Sequence, residues 1–222
     1  MFDDIHIVLA SASPRRSEIL TKMGITFEKL PSEAEAVFKD KVDEPLKPHE
    51  KAEQLSYVKA ADIAGKLLMG EARVGKISKG VLIIGADTVV SAYGEILEKP
   101  EGFDEACVML DKLQGRWHEV YTGVTLVYMP PEAASGAQGL AGHEKAKQKT
   151  FSVCSNVEIY PMSGEEIVDY VAKEKPYDKA GGYAIQGSFC NFVKAIDGDY
   201  ENIVGLPASR LYHEIKEIIS EA

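Results

Sequence analysis

The sequence predicts an α/β fold, and three observations carry that prediction. An apolar run, Ile5–Ala10, stops at small hydroxylated residues and hands over directly to a helix. A second run, Val81–Ile84, is wholly apolar and rich in β-branched residues, the pattern of a strand buried on both faces. Two longer segments, Trp117–Tyr128 and Thr150–Ile159, read as a long antiparallel pair. With no internal repeat and no clean linker, residues 1–222 read as a single domain, with two lobes around a central cleft. A chain of this size can bury roughly 70% of its unfolded surface, so its core needs no covalent staple.

The elements follow in order. After the first strand, Ser13 and Pro14 stand as an N-cap and a first-turn proline, and the helix Arg15–Met23 ends at Gly24. Thr26–Leu30 is the second strand, and Asp40–His49, rich in proline and charge, is a loop. From Pro48 a helix carries Ala52, Leu55, Val58, Ile63 and Leu67 at roughly helical spacing. Gly70–Gly80 is a connection. Val81–Ile84 delivers Gly85-Ala86-Asp87-Thr88 at its end, and Val89–Ala92 turns at Tyr93-Gly94 and returns through Ile96–Leu97 as a hairpin. Asp104–Leu113 is a helix burying Ala106, Val108, Met109 and Leu113. The composition of 130–149 predicts a mobile loop in which Lys145, Lys147 and Lys149 are solvated. Ser163–Lys173 opens with a capping box, Ser163 and Glu166, and the last helix is Ala208–Ile219.

Composition narrows the function. A net charge of −10 argues against nucleic acid as a partner, which calls for a broad basic surface. A small phosphate ester needs only a few cations converging on one cleft. No apolar run reaches the roughly 20 residues of a membrane span. Asp3 and Asp4 stand where a signal peptide would be basic. Cys107, Cys154 and Cys190 are widely spaced and match no zinc pattern, which suits reduced thiols in the cytoplasm. There is no Gly-rich dinucleotide fingerprint and no Walker lysine motif. One helix start is nonetheless rich in anion-binding groups: Ser11 and Ser13 with Arg15 and Arg16. From these residues alone, a phosphate cradle and an ordinary turn with solvated arginines are equally consistent.

Ser11-Ala12-Ser13-Pro14-Arg15-Arg16 resembles the amino-terminal signature of the Maf family of nucleoside triphosphate pyrophosphatases. Further segments match in order: Gly85-Ala86-Asp87-Thr88-Val89-Val90, Leu97-Glu98-Lys99-Pro100, Asp178-Lys179-Ala180-Gly181-Gly182-Tyr183-Ala184-Ile185-Gln186-Gly187, and Gly198-Asp199-Tyr200 through Val204-Gly205-Leu206-Pro207. The resemblance implies an inosine-triphosphate-pyrophosphatase-like fold, with a mixed sheet and flanking helices around a cleft. It implies hydrolysis of a nucleoside triphosphate between its α and β phosphates, with Mg²⁺ or Mn²⁺, and a homodimer.

The same resemblance distributes roles. Asp87 is the essential carboxylate, as proton acceptor, metal ligand or both; an aspartate at a strand end can also simply bond its own backbone. A second metal-binding carboxylate falls in Pro31-Ser32-Glu33-Ala34-Glu35-Ala36, with Glu35 preferred to Glu33. Arg16, Lys59, Lys99 and Lys179, with Arg15, would offset the charge of about −4 on a triphosphate. Ser11 lies at the helix mouth, within reach of base or phosphate. The Arg15-Arg16 step with Thr88 and Gln186 resembles the dTTP- and UTP-cleaving branch of the family, and a hydroxyl and an amide can pair with a uracil or thymine edge. In the alternative, Gln186 serves only the glycine-rich turn. His118, in Trp117-His118-Glu119-Val120, is either near the site or a structural hydrogen-bond partner. Two other functions stay open at this point: a nucleotide-binding regulator of cell division with little turnover, and a pyrophosphatase for 7-methyl-GTP.

Overall fold

The computed structural model describes residues 2, 4–34, 46–75, 77–134 and 146–221. Among these, strands β1 (His6–Leu9), β2 (Glu28–Lys29), β3 (Val81–Ala92), β4 (Glu95–Leu97), β5 (Trp117–Met129), β6 (Lys147–Ile159) and β7 (Val193–Asp197) form one mixed sheet. Its order is β2-β1-β3-β5-β6-β7, with β4 added on β3. β1 runs parallel to β2 and β3, and the remaining pairings are antiparallel. The helices are α1 (Pro14–Lys22), α2 (Pro48–Leu68), α3 (Phe103–Leu113), α4 (Pro131–Ala134), α5 (Gly164–Glu174), α6 (Tyr200–Val204) and α7 (Ala208–Ser220). No helix of the described residues is long and apolar enough to cross a membrane.

Side chains alternate across a strand, and β3 divides the core accordingly. Val81 and Ile83 pack with Ala60, Ile63, Leu67 and Leu68 of α2 on one face of the sheet. Leu82, Ile84, Ala86 and Val90 face the other way, into a larger cluster with Ile19 and Leu20 of α1, Leu110 of α3, Val171 of α5 and Ile215 of α7. Gly85 and Asp87 therefore share the α2 face, and Thr88 the opposite one.

Helix α2 crosses β3 and β5 at a separation that only glycine permits. A Cβ on Gly85 would stand 2.2 Å from the Ser56 carbonyl oxygen, and one on Gly123 would stand 2.2 Å from the Ala52 carbonyl. The two glycines sit on adjacent strands, with Gly123 directly opposite Asp87. Ser56 locks the crossing through its hydroxyl, 2.8 Å from that of Thr125, which in turn meets Thr150 at 3.0 Å.

The outer edge of β3 is split. β1 pairs with it over Val81–Ile84, and β4 over Val90–Ala92. Residues 85–89 between them are paired only with β5 among the described strands. At this gap the chain leaves β1, its last link being the Ala10 N–H donated to the Ile84 carbonyl at 2.9 Å, and turns into α1.

The structure corrects the sequence reading at several points. β3 does not end at Gly85 but continues unbroken through Asp87 to Ala92, because β5 pairs with it along nearly its whole length. The second strand shrinks to two residues. Segment 130–149 is not wholly loop: Pro131–Ala134 form α4, and β6 already begins at Lys147. Lys149 is not simply solvated but paired with Glu214 and, at 2.9 Å, with Glu217 of α7; Lys145 lies outside the described residues. Val108 is exposed, and Leu110 takes its place in the core. β7 and α6 were not expected: β7 is short and mixed in polarity, and α6 is only five residues, capped by Asp199, whose side chain accepts from the Glu201 N–H at 2.8 Å. The hairpin, the long antiparallel pair and the Ser163/Glu166 capping box are present as expected.

Gly85→Ala should destabilise the protein by about 1–3 kcal/mol or more, because the clash is with helix backbone rather than a yielding side-chain tip. Chemical denaturation of the two proteins checks this, and Gly94→Ala, where an added Cβ meets nothing within 4 Å, supplies the comparison for a glycine at positive φ alone.

Candidate active site

The split edge of β3 opens into a cleft of about 510 Å³ lined by β3, the turn into α1, α2, the segment after β4, the glycine-rich segment 178–187 and the end of α6. Ser11, Arg15, Arg16, Lys59, Asp87, Thr88, Lys99, Lys179 and Gln186, all singled out from sequence, line this one cleft. Glu35 lies outside the described residues; Glu33 is exposed and is not among the lining residues.

On the α2 face, Asp87 and Lys59 form a buried ion pair, Lys59 Nζ lying 2.5 Å from Asp87 Oδ1 with side-chain exposures of 9% and 12%. The close crossing at Gly85 places them there. Ala52, Ser56 and Lys59 lie on one side of α2, so a helix touching β5 at Ala52 and β3 at Ser56 delivers Lys59 beside Asp87.

On the opposite face, Arg16 donates to three acceptors among the described residues. Its Nε donates to the Gly205 carbonyl at 2.9 Å, and its two terminal nitrogens donate to Ser11 Oγ at 2.9 Å and Thr88 Oγ1 at 3.1 Å. Arg16 is only 8% exposed, so these contacts fix the guanidinium rather than leaving it to search solvent. Ser13 precedes α1 without a side-chain cap bond; its backbone N–H instead donates to Ser11 Oγ at 3.3 Å. Arg15 is half-buried one residue before Arg16, at the positive end of α1.

The mouth is made by two segments tied together. The Gly181 N–H donates to the Glu98 carbonyl at 3.1 Å, which brings Lys179 and Lys99 to one rim. A Cβ at Gly181, whose φ is 70°, would also strike Val90 at 2.9 Å. Lys179 reaches Asp178 at 2.6 Å. Burial raises the Asp178 carboxyl, but the Lys179 and Arg15 cations outweigh it and hold the group below its usual range. Gln186 is exposed and makes no side-chain hydrogen bond among the described residues.

Tyr183 forms the floor between these parts. Its hydroxyl lies 2.7 Å from His118 Nε2, and its ring packs on Phe189 with centroids 4.5 Å apart. His118 is 2% exposed, and burial pushes its imidazole down to about 4. The same burial pushes the Tyr183 phenol up. Both are therefore neutral at pH 7; Tyr183 lines the cleft, and His118 lies behind it.

Sequence reasoning missed the residues that hold Arg16 and Thr88. Gly205, in the last of the quoted motifs, was given no role; it supplies the carbonyl that Arg16 needs. Thr122 hydrogen-bonds Thr88 at 2.9 Å and the Asn202 carbonyl at 2.8 Å. Its signal was a hydroxyl between Val120 and Val124 on one side of β5, all three buried.

With this geometry in view, comparison with known proteins gives the family. A family model described as Maf-like protein matches residues 6–218, and the chain belongs to that family. It is 42% identical over 214 residues to the dTTP/UTP pyrophosphatase of Carboxydothermus hydrogenoformans, covering 96% of this chain and 98% of that protein. It is 38% identical over 215 residues to the dTTP/UTP pyrophosphatase of Agathobacter rectalis, covering 96% and 97%. With the protein of the same name from Caldicellulosiruptor bescii it shares 42% identity over 206 residues, covering 93% and 91%.

His118 gives a pH prediction with a definite sign. Its folded pKa, about 4, lies below the unfolded value near 6.5, so between these limits the unfolded chain binds the extra proton. Its contribution is intact above pH 6.5 and is lost as pH falls toward 4, with a slope of up to about 1.4 kcal/mol per pH unit. Unfolding free energies measured across that range should decline less steeply in His118→Asn than in the unmodified protein.

Proposed function

We propose that this chain hydrolyses dTTP and UTP to the monophosphate and pyrophosphate. The observation that carries the proposal is the division of the cleft by β3. A buried Asp87–Lys59 pair lies on one face of the strand and the Arg16–Thr88 constellation on the other, with the cations Lys99 and Lys179 at the mouth. The names borne by its close relatives support the same reaction.

In this reading Asp87 orients a water molecule and takes its proton as the oxygen attacks the α-phosphorus. The α–β anhydride bond breaks and pyrophosphate leaves with the electron pair. Lys59 holds Asp87 in place through their ion pair, and its ammonium lies next to the charge that builds on the phosphates. Arg15, Lys99 and Lys179 bind the leaving phosphates and hold them in line. The α1 N-terminus adds its partial positive charge. Thr88 and Gln186 face the base: Gln186, exposed and without a hydrogen-bond partner among the described residues, is available to pair with a pyrimidine edge, and a site built for such pairing rejects bases that leave its groups unpaired.

A divalent cation fits this donor set as one that shares its ligands with the substrate. Among the described residues there is no group of three His, Cys, Asp or Glu side chains able to hold a metal ion. Mg²⁺ often uses one or two carboxylates together with substrate phosphates and waters, and Asp87 offers that carboxylate, with Glu35 as the second in this proposal. When bound, the cation would neutralise charge on the phosphates as pyrophosphate departs.

The test is pyrophosphate release from dTTP, UTP, CTP, ITP and 7-methyl-GTP in Mg²⁺ or Mn²⁺. Release from dTTP and UTP should fall by roughly 10²–10⁴-fold in Asp87→Ala and stop on chelation of the metal. Preference for 7-methyl-GTP would overturn the pyrimidine assignment, and no release from any nucleotide would overturn the enzyme itself.

A further inference from the structure

The hydrogen bonds around Thr88 admit one arrangement of protons. The Asn202 carbonyl can only accept, so the Thr122 hydroxyl, 2.8 Å away, donates to it. A hydroxyl has one proton and two lone pairs. Thr122 has thereby spent its proton, and in its 2.9 Å contact with Thr88 it is the acceptor and Thr88 the donor. Thr88 Oγ1 also accepts from Arg16 at 3.1 Å. What remains to Thr88 on the cleft side is a single lone pair. Ser11 is its complement: its oxygen accepts from Arg16 at 2.9 Å and from the Ser13 N–H at 3.3 Å, which leaves its proton to donate.

The far end of the chain is equally fixed. The Asn202 side-chain amide donates to the Val120 carbonyl at 3.1 Å and to Ser155 Oγ at 3.0 Å. Ser155 in turn donates to the Asp199 carbonyl and accepts the Asp199 N–H, each at 3.0 Å. Thr122, Asn202 and Ser155 are all 0% exposed, so no water competes to reverse the direction.

We propose that Thr122, which does not itself line the cleft, is a positioning residue for base choice: it fixes Thr88 as a hydrogen-bond acceptor. Resting on the pyrimidine reading above, this gives the site a polarity. Uracil and thymine carry an N–H at ring position 3, whereas cytosine carries a lone pair there, which faces an acceptor unfavourably. The site therefore favours UTP over CTP through the direction of a proton rather than through size or shape.

The experiment measures kcat and KM for UTP and CTP in the unmodified protein, Thr122→Val and Thr122→Ser, and repeats Thr122→Val in a Thr88→Val background. Valine keeps the volume but removes the acceptor, so Thr88 can turn its proton toward the cleft. The UTP-to-CTP ratio of kcat/KM should fall roughly tenfold, chiefly through KM, since Asp87 and Lys59 lie on the other face of the sheet. Thr122→Ser should restore the ratio, and with Thr88 already removed Thr122→Val should leave it unchanged. An equal loss for both nucleotides in Thr122→Val, or a change of ratio that persists without Thr88, would overturn the proposal while leaving the pyrophosphatase reading intact. Absence of turnover in the unmodified protein would overturn both.

Discussion

The approach of α2 to the sheet is the constraint on which the candidate site depends. Two backbones meet where Gly85 and Gly123 place no side chain between them, and the ion pair between Lys59 and Asp87 exists because of that separation. A lysine ammonium and an aspartate carboxylate would lose most of their mutual attraction if the helix stood further off and water filled the gap. Burial carries its own cost, since each ion gives up hydration, and removing either partner strands the other. The pair is thus better understood as a means of holding a charged carboxylate in a low-dielectric recess than as a source of stability.

The second organising feature is the interruption along one edge of β3. Most strands in the interior of a sheet have both edges occupied, which leaves no room for a ligand beside the backbone. Here β1 and β4 occupy the two ends of the edge and leave the middle to the cleft. Pairing with β5 along the other edge keeps β3 straight through the interruption, so its side chains retain strict alternation. Asp87 and Thr88, neighbours in sequence, are consequently directed to different faces while bordering the same cavity.

Much of this was legible in the sequence, and the reasons for success and failure are physical. Apolar runs such as Val81–Ile84 and periodic helices such as α2 report burial directly, so the main elements were placed from pattern alone. The lining of the cleft came from short motifs whose residue types suit phosphate chemistry. What could not be read was how those motifs support one another. Arg16 looked like a free phosphate ligand, but its guanidinium is anchored to Gly205 and Ser11, positions far from and near to it in sequence. Thr122 and Asn202 escaped notice because a buried polar residue has no local signature; its partners are set by strand register and by a five-residue helix with too few residues to show a period. Asp87 was expected at a strand end because Gly85-Ala86 reads as a break. The glycine instead marks the place where a helix presses on an intact strand.

The alternation at Asp87 and Thr88 bears on how such a protein can change over time. In the proposed reading, the carboxylate that acts on the water and the threonine that faces the base are supported by separate neighbours, α2 for Asp87 and α1, α6 and β5 for Thr88. On that reading, a substitution among the neighbours of Thr88 would alter which nucleotide is accepted while leaving Asp87 and Lys59 in place. The sheet would then act as a partition between two inheritable traits, and a lineage built on this scaffold would exchange one substrate for another while its chemistry passed down unaltered.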